Sequence, residues 1–225
     1  MAVNVQSKRR TFFMTWPDKN VERMLKDRGH AVTHVFDNEW EIALFPGGED
    51  VSPILYGEHV LPKTQMNYKR DLTEVNLFRR MHHKRLKVGI CRGAQLLNVL
   101  SGGRLWQDVD NHAVADGHMV KFWASNTGIK MTSTHHQMMI PGPLGWVVAS
   151  ADRSTTKINE TEGETKLVTN DWEDPEVIWY DYNTTLCWQP HPEYVDGWER
   201  QEFFDWIDTL FDPKVHEQSF AEWGM

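Results

Sequence analysis

Apolar positions along the first half of the chain follow two periods in alternation. Residues 11–15, Thr-Phe-Phe-Met-Thr, form a short apolar run of strand length, and Asp18 then offers a capping side chain for a helix running to about Arg28 and stopping at Gly29. Residues 31–36 and 41–45 are again strand-like, the second run ending at Pro46-Gly47-Gly48. Asp71 and Glu74 have the spacing of a capping box, and Leu72, Val75, Phe78 and Met81 recur behind them at helical period. Residues 87–90 predict a strand and 93–100 a helix. Strand–helix alternation of this kind predicts a parallel sheet covered on both faces.

Beyond residue 100 the pattern turns to strands, expected at 118–123, 146–150, 177–180 and 185–188. Residues 197–211 predict a closing helix that buries Trp198, Phe203 or Phe204, Ile207 and Leu210. Between these elements, 152–176 is polar and acidic and is expected to form an exposed excursion, with a hairpin around 166–169. No repeat and no Gly/Ser/Pro-biased linker divides the chain, so residues 1–225 are expected to form a single α/β domain with a mostly parallel central sheet.

Composition narrows the partners. Twenty-four basic against 32 acidic residues give a net charge of −8, which makes a phosphate backbone a poor ligand. No run approaches the roughly 20 apolar residues of a membrane span, and the polar, basic stretch 1–10 lacks the apolar centre of a secretory leader. Two cysteines, Cys91 and Cys187, cannot build a disulfide framework, and a reducing, cytoplasmic setting is expected. The 11 tryptophans are expected to fill the core and its rim.

One cysteine has a chemical context. Gly89-Ile90-Cys91-Arg92-Gly93 sets Cys91 between two glycines, after a strand and before a helix, as in a cysteine version of the nucleophile elbow. Such a turn lifts the sulfur to the carboxyl edge of the sheet, where a helix N-terminus favours thiolate. Cys187 lies inside an apolar strand and is expected only to pack. A thiolate needs a proton carrier and a group to orient it. In Gln189-Pro190-His191-Pro192-Glu193 the histidine and glutamate are two apart, so extended backbone turns both to one side. His82-His83 and His135-His136 show no metal-ligand spacing, and His82-His83 is expected to be solvated. Gly47-Gly48, ending a strand, could present backbone N–H groups to an oxyanion, as could the N–H after the nucleophile.

These pieces fall in a familiar order. Gly47-Gly48-Glu49-Asp50-Val51-Ser52-Pro53 with Leu55-Tyr56-Gly57-Glu58, Arg70-Asp71-x-x-Glu74, the stretch from Gly89 to Val99, Gly102-Gly103-Arg104-Leu105-Trp106-Gln107-Asp108, His135-His136-Gln137 and Gln189 to Glu193 together resemble the class I glutamine amidotransferase superfamily. Within it they are most similar to the γ-glutamyl hydrolase branch, the peptidase C26 group that includes γ-glutamyl-γ-aminobutyrate hydrolases. Arg92 after the cysteine resembles that branch more than the synthetase-linked amidotransferases. The family's Asp-Gly-x-x-Glu-Ala stretch has no counterpart before the last strands, and the chain before residue 40 matches weakly.

The resemblance implies a flavodoxin-like domain with Cys91 as nucleophile, His191 as base and acid, and Glu193 as its orienting carboxylate. It further implies oxyanion N–H groups from Gly48 and Arg92, a glutamyl contact from Gln95, and a pocket wall from His136 and Gln137. The expected reaction is hydrolysis of a γ-glutamyl amide through a thioester, without metal or organic cofactor. Two other readings stay open: a glutaminase feeding ammonia to a separate ATP-dependent synthetase, since no nucleotide-binding loop is present, and a non-catalytic module on the same fold. A homodimer or a synthetase partner is compatible with each.

Overall fold

The computed structural model describes residues 8–110, 112–151, 158–161, 164–167 and 174–211. In chain order the elements are β1 (Thr11–Met14), α1 (Lys19–Asp27), β2 (Ala31–Thr33), β3 (Ile42–Phe45), α2 (Tyr68–Arg80), β4 (Leu86–Ile90) and α3 (Arg92–Leu100). They continue with β5 (Arg104–Trp106), β6 (Asp108–Val109), β7 (Ala113–Phe122), β8 (Thr127–Thr134), β9 (Met138–Ile140) and β10 (Trp146–Ala151). The last are β11 (Ile158–Thr161), β12 (Glu164–Leu167), β13 (Pro175–Tyr180), β14 (Thr185–Trp188) and α4 (Trp198–Phe211).

A nine-stranded sheet in the order β2-β1-β3-β4-β14-β13-β10-β7-β8 organises the fold. From β2 to β14 neighbours run parallel, and from β14 to β8 they run antiparallel. Residue burial explains the parallel half. Ile42 and Leu44 of β3 pack into a cluster with Val21 and Leu25 of α1 and Phe203 and Ile207 of α4. Ala43 and Phe45 face the other way, toward Val75 of α2 and Ala94 and Leu97 of α3. A strand buried on both faces reads as an unbroken apolar run. Each fully buried Leu, Ile or Phe in these layers contributes about 1.5–3 kcal/mol.

The Asp18 cap holds as expected, its carboxylate accepting from Asn20 N and Val21 N at 2.9 and 3.0 Å. Four expectations need correction. Helix α2 starts at Tyr68 with Asn67 as its cap, so Asp71 and Glu74 are interior helical residues and form no capping box. Both are fully buried because they meet arginines, while Leu72 is left 42% exposed. Trp198 is 80% exposed, and Glu199 beside it turns inward to accept from Thr132 N and Oγ1 at 2.8 Å each. The strand expected at 31–36 ends at Thr33.

The fourth concerns the acidic stretch 152–176. Residues 152–157, 162–163 and 168–173 lie outside the described residues, while β11 and β12 pair as an antiparallel hairpin a few residues before the expected one. Asp174 and Glu176, at its end, are buried and face histidines. Among the described residues no helix is long and apolar enough to cross a membrane. Trp40, Trp179, Trp188 and Trp206 are core residues, whereas Trp123 and Trp146 are about half exposed, at 45% and 46%.

Candidate active site

Sheet order brings the expected residues together. Strands β4 and β14 are parallel neighbours with Ile90 opposite Trp188, so the residues that follow them emerge side by side at the carboxyl edge. Cys91 N donates to Trp188 O at 2.9 Å, tying the two ends. Cys91 has φ 49° and ψ −111°, a left-handed conformation that costs a non-glycine residue roughly 1–3 kcal/mol. The flanking glycines make the turn possible: a Cβ on Gly93 would overlap the Phe45 carbonyl, and one on Gly89 would overlap the Gly93–Ala94 peptide.

The sulfur adjoins the His191 ring and acts on its protonation. On its other side His191 Nδ1 lies 2.6 Å from Glu193 Oε1, and the His191 backbone N–H donates to Thr132 Oγ1 at 2.6 Å. Prolines enclose this segment, and residues 192–194 close in a 3₁₀ turn that stacks Tyr194 on the imidazole, centroids 4.6 Å apart and planes at 12°. Burial of His191 disfavours its charge, but the Cys91 sulfur and the Glu193 carboxylate outweigh burial and raise its pKa well above the usual histidine range. Cys187 differs: it is fully buried, and burial pushes its thiol well up.

The glycine loop lies against this group. A Cβ on Gly47 would stand 3.0 Å from His191 Cε1 and 3.8 Å from Cys91 Cβ. Gly48 has φ +147°, and a side chain there would run into the Arg70 guanidinium. Arg70 holds the loop by donating to Pro46 O and Gly47 O at 2.9 and 3.0 Å. Asp71 takes the next stretch, accepting from Ser52 N at 3.0 Å and from the Ser52 hydroxyl. The Arg92 side chain is directed into this network, where it bridges Asp71 and Glu74, and Glu74 also accepts from Thr15 Oγ1 at 2.6 Å.

The residues expected to hold a glutamyl group gather nearby. Gln95 Nε2 donates to Gln137 O at 3.1 Å and to Gln189 Oε1 at 3.2 Å. Gln137 Oε1 accepts from Val51 N at 3.2 Å. The amide nitrogens of Gln137 and Gln189 are buried without a hydrogen-bond partner among the described residues. His136, 38% exposed, lies between Asp50 at 3.0 Å and Asp108 at 3.4 Å. Asp50 first, against a smaller opposing effect of burial, raises its pKa.

Sequence reasoning gave no site role to Tyr194, to Gln189 or to the Arg70–Asp71–Glu74 face, although all lie within or beside segments it singles out. It also missed a buried group of His112, His118, His135 and Glu176, which is drawn from three separate stretches of the chain. His82 and His83 are solvated as expected, just past the end of α2.

The mixed sheet and the cysteine turn at its parallel edge define a class I glutamine amidotransferase-like protein. Residues 33–160 match the Peptidase C26 family, and the chain belongs to that family. The glutamine amidotransferase-like protein YvdE of Lactococcus lactis is 30% identical over 174 residues, 73% of this chain and 70% of YvdE. Protein NtpR of Enterococcus hirae is 41% identical over 71 residues, but the match spans only 31% of this chain and 30% of NtpR. In fold the chain is similar to a candidate GMP synthase subunit from Thermoplasma acidophilum, with TM-score 0.63 and 14% identity over 94% of this chain and 98% of that one.

Proposed function

We propose that the protein hydrolyses a γ-glutamyl amide with Cys91 as nucleophile, His191 as proton carrier and Glu193 as the carboxylate that orients it. The observation that carries this reading is the joint geometry: a strained cysteine turn, an imidazole on its sulfur, and a carboxylate 2.6 Å behind that imidazole. A structural cysteine has no need of the strain or of the ordered pair behind it.

In the proposed reaction the Cys91 sulfur attacks the γ-carbonyl carbon and the electron pair moves onto oxygen. Backbone N–H groups of Gly48 and Arg92 would stabilise that oxyanion. As the tetrahedral intermediate collapses, the C–N bond breaks and His191 gives its proton to the departing amine. Water then loses a proton to His191 and attacks the γ-glutamyl thioester, releasing glutamate and the thiolate. Gln95, His136 and Gln137 would hold the glutamyl group. The buried amide donors on Gln137 and Gln189 have the hydrogen-bonding character its carboxylate requires.

A second reading has one observation in its favour. The fold relative from Thermoplasma acidophilum is a candidate synthase component, and this chain too could release ammonia for a separate ATP-dependent partner. Both readings use the same thioester. The deciding experiment is a screen of glutamine and γ-glutamyl amides for ammonia or amine release, with Cys91→Ala as control. Release from amides but not glutamine supports the hydrolase. Glutamine turnover that rises with a co-purifying ATP-dependent protein supports the second reading. No Cys91-dependent release from any member would leave a binding module.

A further inference from the structure

We propose that His112, His118, His135 and Glu176 form a buried binding site for a divalent transition metal of the zinc type. His112 precedes β7, His118 lies on it, His135 follows β8, and Glu176 lies on β13. All are at most 8% exposed. The ligand atoms of His112, His118 and Glu176 lie within 4.8 Å of one another. Glu176 Oε1 is 3.7 Å from His112 Nδ1, 2.8 Å from His118 Nε2 and 3.7 Å from His135 Nε2. A tetrahedral zinc with bonds of about 2.0–2.1 Å separates its ligands by about 3.3–3.4 Å, which the three nitrogen-to-carboxylate distances bracket; His112, His118 and Glu176 form the tight group, and His135 would close in as the fourth ligand.

The surroundings fix two imidazoles in the tautomer a metal needs. His112 Nε2 lies 3.0 Å from Asp174 Oδ2, and His135 Nδ1 lies 2.8 Å from the Gln137 carbonyl. Each outer nitrogen therefore carries the proton, and each inner nitrogen is left as a bare donor atom. Carboxylate and carbonyl partners of this kind are the usual support of metal-bound histidines. His118 Nε2 and Glu176 Oε1 meet as a close pair, while His112 Nδ1 and His135 Nε2 stand too far from that carboxylate for a good hydrogen bond, and they and Glu176 Oε2 lack one among the described residues. Burying so many unpaired polar atoms is costly. A proton shared between His118 and Glu176 would satisfy one pair and leave His112 Nδ1 and His135 Nε2 bare. One cation would take up His112 Nδ1, His118 Nε2, His135 Nε2 and a Glu176 oxygen together, and three nitrogens with one carboxylate oxygen suit zinc.

The site would be structural. The Gln137 carbonyl that receives His135 also receives Gln95, and the Glu176 carbonyl accepts from Gln189 N at 2.8 Å. A metal there would pin the antiparallel half of the sheet to the segments carrying Gln95, Gln137 and Gln189. This inference stands apart from the roles proposed for Cys91 and His191.

The test uses untagged full-length protein, stripped with a chelator and titrated with Co(II) or Zn(II). One equivalent should bind, giving the visible bands of tetrahedral cobalt and a higher Tm. His118→Ala and Glu176→Gln should bind at least tenfold more weakly, and Asp174→Asn about 10–100-fold more weakly. The double variant His82→Ala/His83→Ala should bind as wild type does. X-ray absorption of the zinc-loaded wild type should show nitrogen and oxygen ligands only, a readout that survives if a variant fails to fold. No stoichiometric uptake, a sulfur ligand, unchanged binding by His118→Ala, or loss of binding in the His82/His83 variant would each overturn the proposal.

Discussion

Arg92 follows Cys91 in the chain, yet its guanidinium pairs with Glu74, 18 residues earlier, at the centre of a fully buried charge network. The network joins the turn of the cysteine to the glycine loop, because Glu74 and Asp71 sit on the same helix as Arg70. Removing one member of a buried ion pair strands the others and costs about 3–5 kcal/mol. Arg92→Leu should therefore lower unfolding stability by that order. Arg92→Lys, which keeps the charge but not the two-pronged geometry, should lose less. Urea unfolding of both variants checks this; a loss under about 1 kcal/mol for Arg92→Leu would show that the carboxylates find other partners.

Cys91 and Cys187 should differ sharply in reactivity. Cys91 sits at a helix N-terminus with a raised-pKa imidazole on its sulfur, while Cys187 is sealed in the core with its thiol pushed up. At neutral pH, iodoacetamide should alkylate Cys91 at least tenfold faster, since thiolate is the reacting form. Peptide mapping that finds Cys187 modified first would remove Cys91 from the proposed role.

His191 and Glu193 should not be equivalent. His191→Ala should reduce kcat about as far as Cys91→Ala, because groups that act as one unit lose their effect together. Glu193→Gln keeps a hydrogen-bonding group at 2.6 Å and removes only the charge that supports the imidazolium, so residual turnover should be measurable. Steady-state kinetics on folded variants decides; a Glu193→Gln enzyme as inactive as Cys91→Ala would mean that the carboxylate does more than orient.

The parallel half was legible because its signals are local. The apolar runs of β1, β3 and β4, the Asp18 cap and the bracketing glycines each state their structure within a few residues. The antiparallel half was less so. Strand β8, Thr127–Thr134, carries few apolar residues, since much of its surface is exposed and it lies at the sheet edge. Asp71 and Glu74 misled for a related reason: their spacing is that of a cap, and only a partner far along the chain, Arg92, gives acidic residues cause to sit inside a helix. The histidine–Glu176 group had no spacing to announce it, because strand pairing alone assembles it.

Lys87 should make stability depend on pH. It is 2% exposed on β4, its ammonium donating to the carbonyls of Arg85 and His83 at 2.6 and 3.3 Å. Burial lowers its pKa from 10.5 to about 8. Between those values the unfolded chain keeps a proton that the folded protein has released, so unfolding takes up protons and stability rises with pH. The difference between 10.5 and 8 is 2.5 units, which at 1.36 kcal/mol per unit sets a ceiling of about 3 kcal/mol. The useful window lies between about pH 8 and 9.5. Above it Tyr56 and Tyr180, both held neutral by burial, oppose the trend as the unfolded state ionises. Urea unfolding across this window should show stability increasing in the wild type and a flatter profile in Lys87→Met, which has no charge to lose. The tyrosine contribution is common to both proteins and cancels in the comparison. Identical slopes would mean that Lys87 stays protonated in the fold, held by its two carbonyl partners despite burial.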